Sequence, residues 1–119
     1  MTPASLAAAL RACAAGLYTL VAGTGLLIAH GTFLHRSDFT SRFILHGTTG
    51  MAVVDWDALT ATLTAGELPC SAGERRILCI AASLAAGHPV SLRGAIPGID
   101  QRNLDRVITA VRLAAGQRP

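Results

Sequence analysis

Residues 12–29 read ACAAGLYTLVAGTGLLIA, eighteen uncharged residues held between Arg11 and His30. How this run is read decides the fold. Eighteen is the lower limit for a helix that spans a bilayer. Three glycines, two threonines and several alanines make the run weakly hydrophobic for its length. The MTPAS start before it has no basic segment, and no small-x-small cleavage pattern follows it. The run therefore reads as a buried core helix of a cytoplasmic protein, and not as a membrane span or a signal peptide.

Toward the N-terminus, Thr2-Pro3 forms a helix start, with the hydroxyl as cap and proline at the first helical position. From there Leu6, Leu10, Cys13, Leu17, Leu20, Thr24, Leu27, Gly31 and Leu34 alternate in steps of four and three. That spacing predicts a long apolar N-terminal helix over residues 4–35 with a coiled-coil-like seam. Gly16, or the Gly23-Gly25 pair, is where it would divide into two. The flanking positions are alanine, glycine and threonine, so the helix should be central and packed on several sides. Leu10, Leu17, Leu20 and Leu27 are the candidate oligomer seam.

His-Gly-Thr occurs twice, at 30–32 and 46–48. The seam carries the first copy inside the long helix. The second copy reads as a helix end, with Gly47 in the left-handed position. His30 and His35 are five residues apart, about 140° around a helix, so they do not share a face. No HxxxH, CxxC or HExxH spacing sets up a metal pair on one helix.

Further along, Ser37 or Asp38 caps a helix that buries Phe39 and Phe43. Asp55 caps another, with Trp56, Leu59 and Leu63 inside and Val54 stapled to Leu59. Ser71 and Glu74 form a capping box for a helix that buries Ile77, Leu78, Ala81 and Leu84 and ends at Gly87. Ser91 caps a single turn before Pro97-Gly98. Asp100 caps the last helix, with a stripe of Leu104, Val107, Ile108 and Val111. Met51–Val54 is the only strand-like run, and it is too short to build a sheet alone.

At 119 residues, half of them apolar and only 14% charged, the chain can bury a core without metals or disulfides. Cys13, Cys70 and Cys79 are odd in number and lack CxxC spacing, which argues against a disulfide framework. Cys70 lies just before a helix start, a place that can lower a thiol pKa. Every basic residue is arginine. Residues 1–70 hold three arginines against four carboxylates, net −1, whereas residues 71–119 hold seven against three, net +4. That asymmetry points mildly to an anionic partner. There is no GxSxG, P-loop or dinucleotide fingerprint.

The stretch DWDALTATLTAGELPCSAGERRILCIAASLAAGHPVSLRGAIPGID (residues 55–100) resembles a group of small uncharacterised proteins from GC-rich Gram-positive, actinobacterial, bacteria. The similar parts are the Asp-Trp start, the PCSxGE capping box and the IAASLAxGxPVxL run. That resemblance implies a soluble helical fold and no chemistry. Residues 74–116 look like the helices of a MarR- or IclR-type helix-turn-helix, with VSL opening a middle helix and Ala-Gly closing the last. It implies that Arg93, Gln101, Arg102, Asn103 and Arg106 face the grooves or phosphates of DNA. The middle helix is short for that motif, Pro97 falls at its end, and no wing follows.

The expectation is thus an all-α single compact domain over 1–119 of about five to six helices. Residues 1–66 would be its apolar N-terminal helices and residues 71–116 its basic, helix-turn-helix-like part. The expected function is non-enzymatic, by protein–protein contact with an unidentified partner or a second copy in a homodimer, without cofactor or metal. DNA binding by the C-terminal half is the alternative.

Overall fold

The apolar run does not form one rod. The computed structural model, which describes residues 1–118, breaks it at Gly16, whose φ of 97° is a left-handed conformation that suits glycine. The result is a helical hairpin of α1 (Pro3–Ala14) and α2 (Tyr18–His30). Breaking the rod takes the seam out of phase. Leu10 and Leu27 are buried in the chain's own core and Leu20 is half-buried, while Leu17, at the corner, is 57% exposed.

The N-terminal cap is as read, with the Ser5 N–H donating to Thr2 Oγ1 at 3.1 Å. Neither His-Gly-Thr copy has the role expected of it. The first ends α2, with Gly31 left-handed at φ 82° and donating to the Ile28 carbonyl. A 3-10 turn (Phe33–His35) and α3 (Ser37–Phe43) follow. Arg36 occupies the cap position of α3, and neither Ser37 nor Asp38 caps it; Asp38 instead pairs with Arg36 at 2.6 Å.

The second copy closes no helix. Helix α3 stops at Phe43, and β1 (Ile44–His46) carries the chain into Gly47, which is extended. After a turn through Thr48–Gly50, β2 (Ala52–Val54) returns antiparallel, pairing Leu45 with Val53. The fold is therefore mostly helical and not all-α. The Met51–Val54 run finds its partner in Ile44–His46, a stretch that the helical reading had absorbed.

Helix α4 (Trp56–Thr64) opens on the Asp55 cap, whose carboxylate accepts from the Ala58 N–H at 3.1 Å, and buries Trp56, Leu59 and Leu63. Helix α5 (Ala72–Ala86) has the full capping box. Ser71 N–H donates to Glu74 Oε1 at 2.8 Å, and Glu74 N–H donates to Ser71 Oγ at 3.1 Å. Ser91 caps the single turn of α6 (Leu92–Ala95).

Helix α7 (Gln101–Ala114) starts at Asp100, which makes no side-chain cap bond. Its buried residues are Val107 and Ala110; Ile108 and Val111, expected inside, are exposed. Among the described residues this gives seven α-helices and one two-stranded sheet.

Helix α2 is the centre, with α1, α5 and α7 packed around it. At its C-terminal end a row of rings continues the core. His30 stacks on Phe33 at 4.9 Å, Phe33 meets Phe39 at 5.2 Å, and Phe39 meets Phe43 edge-on at 5.2 Å. All three phenylalanines are fully buried, and truncating any one would cost roughly 3–5 kcal/mol.

Candidate functional site

The helices around α2 do not close on it equally. Between α1 and α7 an open groove of about 520 Å³ runs along α2. Its floor is Val21, Gly25 and Ala29, spaced by four and so on one helical face. Ala14 and Ala15 of α1 form one wall, and Thr109, Ala110 and Leu113 of α7 form the other. The groove stays open where Gly25 and Ala29 of the floor face Ala14 and Ala15 of α1 and Ala110 of α7, side chains too short to meet across the gap.

Three charged residues stand in the lining, Arg11 from α1 and Asp105 and Arg106 from α7. Arg106 Nη1 donates to Asn103 Oδ1 at 3.1 Å, and Gln101 Nε2 donates to Asp105 Oδ1 at 2.9 Å. Among the described residues neither Arg11 nor Arg106 forms an ion pair.

At the C-terminal end of α2, His30 sits half-buried with its Nδ1 enclosed and without a hydrogen-bond partner. Burial lowers its pKa below the usual 6.5, and Arg106 pushes the same way, while Glu74 and Asp100 oppose. Burial and Arg106 thus favour its neutral form.

A second small cavity, about 240 Å³, lies where α4, α5 and the loop after α5 meet. Thr60, Cys79, His88 and Ser91 are in its lining. His88 Nε2 lies 2.8 Å from Asp57 Oδ1, but Asp57 is almost fully exposed, so the pair is a solvated contact and not a buried dyad.

Of the residues singled out for DNA, Arg93 lies on α6 and Gln101, Arg102, Asn103 and Arg106 lie on the first turns of α7. Arg93, on α6, and Arg102, on α7, are exposed; Gln101 and Asn103 bond within α7; Arg106 turns into the groove. The helix-turn-helix-like half supplies a middle helix of four residues, and α7 lies chiefly against α2. His35 and His46 are exposed on the 3-10 turn and on β1.

Cys70 departs from expectation. Burial first, then Glu74, raises its thiol pKa. Among the described residues no three His, Cys, Asp or Glu side chains gather to hold a metal ion, and no helix is long and apolar enough to cross a membrane. No family model, curated protein or solved structure matches the chain.

Sequence reading missed the groove. Its one signal was the Val21-Gly25-Ala29 spacing, which a search for large apolar side chains passes over.

Proposed function

We propose that this chain works without catalysis, by protein–protein contact in a regulatory or accessory role, as a homodimer joined along β1. The observation that carries the reading is the outer face of the hairpin. Leu45 and Val53 stand directly opposite each other across the ladder and are 51% and 44% exposed, with Met51 beside them at 51%. Their neighbours Ile44, Ala52 and Val54 are buried on the inner face, so the apolar outer pair is not needed for the chain's own core.

A ribbon of two three-residue strands is marginal on its own, and an unpaired strand edge is a template for another strand. The edge of β1 (Ile44–His46) carries no proline or lysine to protect it. A second copy fits best, because antiparallel pairing of β1 with itself places Leu45 on the two-fold axis. The ribbon then becomes a four-stranded sheet with a continuous apolar face. The oligomer seam once expected at Leu10, Leu17, Leu20 and Leu27 gives way to the hairpin, since Leu10 and Leu27 are spent in the core.

Mass in solution tests this. Sedimentation across a concentration series should show a monomer–dimer equilibrium that Leu45→Glu moves to monomer. Leu92→Glu, at an exposed leucine on α6, should leave it in place. A wild-type chain that stays monomeric at its highest attainable concentration overturns the reading.

The alternative reading, duplex binding, draws on Arg93, Arg102 and Arg112, all exposed. It requires binding that weakens steeply with salt, with the slope reduced by about one when Arg102 becomes alanine.

A further inference from the structure

Helix α7 carries more apolar surface than its own chain covers. Val107 and Ala110 are buried inward, where α7 packs on α2. Leu104, Ile108, Val111 and Ala115 form a second row. Leu104 is half-buried, Ile108 and Val111 are 43% and 52% exposed, and Ala115, still helical in backbone at the end of α7, is exposed. Steps of four, three and four keep these residues on one side of the helix. That is the spacing with which one helix packs on another, and its two middle members stand in solvent.

Single exposed apolar residues are ordinary, but the charges beside this row are ordered. In heptad terms Leu104 and Val111 are equivalent core positions, and the residues that follow them are Asp105 and Arg112. On the other flank the residues that precede Ile108 and Ala115 are Val107, which is buried, and Ala114, which is half-buried. One flank thus carries an acid and a base seven residues apart, and the other carries no charge. Both charged residues are exposed, and among the described residues neither forms an ion pair. Asp105 accepts from Gln101 through Oδ1, which leaves Oδ2 for a further donor.

We propose that this row is a second self-contact, in which α7 packs antiparallel on α7 of another copy. Two-fold pairing sets Ile108 against Val111 of the second copy and Leu104 against its Ala115, large against small. Between those two layers Asp105 of each copy meets Arg112 of the other, so two ion pairs form by symmetry. Parallel pairing would turn the charged flank toward Val107 and Ala114 and use neither charge. The order of charge complements itself, which selects a second copy over another protein. The contact goes beyond pairing along β1, because no residue of the row belongs to the hairpin. Four apolar positions over about 17 Å make a small, weak interface, formed at chain concentrations above those that populate the β1 dimer.

The test uses the whole chain carrying Leu45→Glu, which removes β1 pairing, in sedimentation equilibrium at the highest attainable concentrations. A reversible dimer is expected, and Ile108→Glu should abolish it. Asp105→Arg places two like-charged pairs in that dimer, and so does Arg112→Asp; each should weaken association about tenfold. An equimolar mixture of the two should recover it to within about threefold of the parent, because each mixed pair again joins an arginine to an aspartate. Glu67→Arg and Arg93→Asp change the net charge by the same amounts at exposed sites off the row, and each should associate like the parent. A Leu45→Glu chain that stays monomeric overturns the proposal and leaves the row to another protein. A charge-exchanged mixture no tighter than its components overturns it too, as do equal losses from the off-row changes. The β1 reading fails separately, when the wild type and Leu45→Glu associate alike.

Discussion

Gly23 and Gly25 lie two residues apart on α2, about 200° around the helix, and so look in opposite directions. A Cβ on Gly23 would come within 2.5 Å of both the Ala81 carbonyl oxygen and the Ala85 Cβ, and within 2.8 Å of the Ala85 nitrogen. A Cβ on Gly25 would touch nothing. The same residue type thus does two unrelated things. On the α5 side glycine lets two backbones meet, and that face is sealed. Toward α1 and α7 glycine keeps a space empty, and that face is open. The first face is closely packed and the second is open, so substitutions on the two faces should differ in sign.

The largest effect is expected from Gly23→Ala. Two of the three close contacts are with backbone atoms, which no rotamer change relieves, so α2 and α5 must move apart. The cost should be about 3 kcal/mol or more, well beyond the gain of about 1 kcal/mol from replacing a helical glycine. Chemical denaturation reads this directly. Adding Ala85→Gly should restore only a minor part, because the contacts with the Ala81 oxygen and the Ala85 nitrogen remain. Full rescue by that second change would mean that the seal is made by side chains and not by backbone.

The caps of the two partner helices sharpen the same contrast. Ser71 closes the start of α5 with a reciprocal pair of hydrogen bonds, whereas Asp100 at the start of α7 makes no side-chain bond. Ser71→Ala should lower global stability by about 1 kcal/mol. Asp100→Ala should cost roughly 0.3 kcal/mol, the loss of a negative charge near a helix N-terminus. Equal losses would show that α7 depends on its start as much as α5 does.

Legibility in the sequence divides along similar lines. The starts at Thr2, Asp55, Ser71 and Ser91 could be read because a cap is a local device, complete within four residues. The inner face of α4 was legible for the same reason, its large apolar residues being spaced by three and four.

Contacts between small residues were not legible. The face of α7 was assigned by its biggest side chains, Ile108 and Val111, yet Ala110 is turned inward, where a close approach to α2 needs little bulk. The hairpin escaped because Ile44–His46 is three residues long and follows Phe43 without a break, and only its pairing with Ala52–Val54 makes it a strand. Both His-Gly-Thr copies were misassigned because a left-handed glycine and an extended one have the same letter. What surrounds them in space decides between the two.

On the open face the sign should reverse. Gly25→Ala fills no occupied volume and removes a flexible residue from the interior of α2. It should stabilise the chain by roughly 0.5–1 kcal/mol. A thermal melt of this variant beside Gly23→Ala is the most economical test of the two-faced description. A loss of stability at Gly25 would place hidden packing in the groove.

The smallest effect lies where the two faces meet, at His30. Its ring stacks on Phe33, its Nδ1 is enclosed without a partner, and Arg106 of α7 faces it, opposed by Glu74 of α5 and Asp100 before α7. Burial and Arg106 hold its folded pKa below 6.5, so the unfolded chain takes up the proton first. The sign follows from that order. Neutral His30 contributes its full stabilisation above about pH 6.5, and that contribution declines as the pH falls from there toward the folded value. Denaturation midpoints measured from about pH 7 to about pH 5 should therefore fall in the wild type. His30→Phe keeps the stacked ring and cannot take up the proton, so its midpoints should fall less over the same interval. If the two curves run parallel, the proton that destabilises the chain in this window binds elsewhere. The end of α2 would then be a packing contact insensitive to pH.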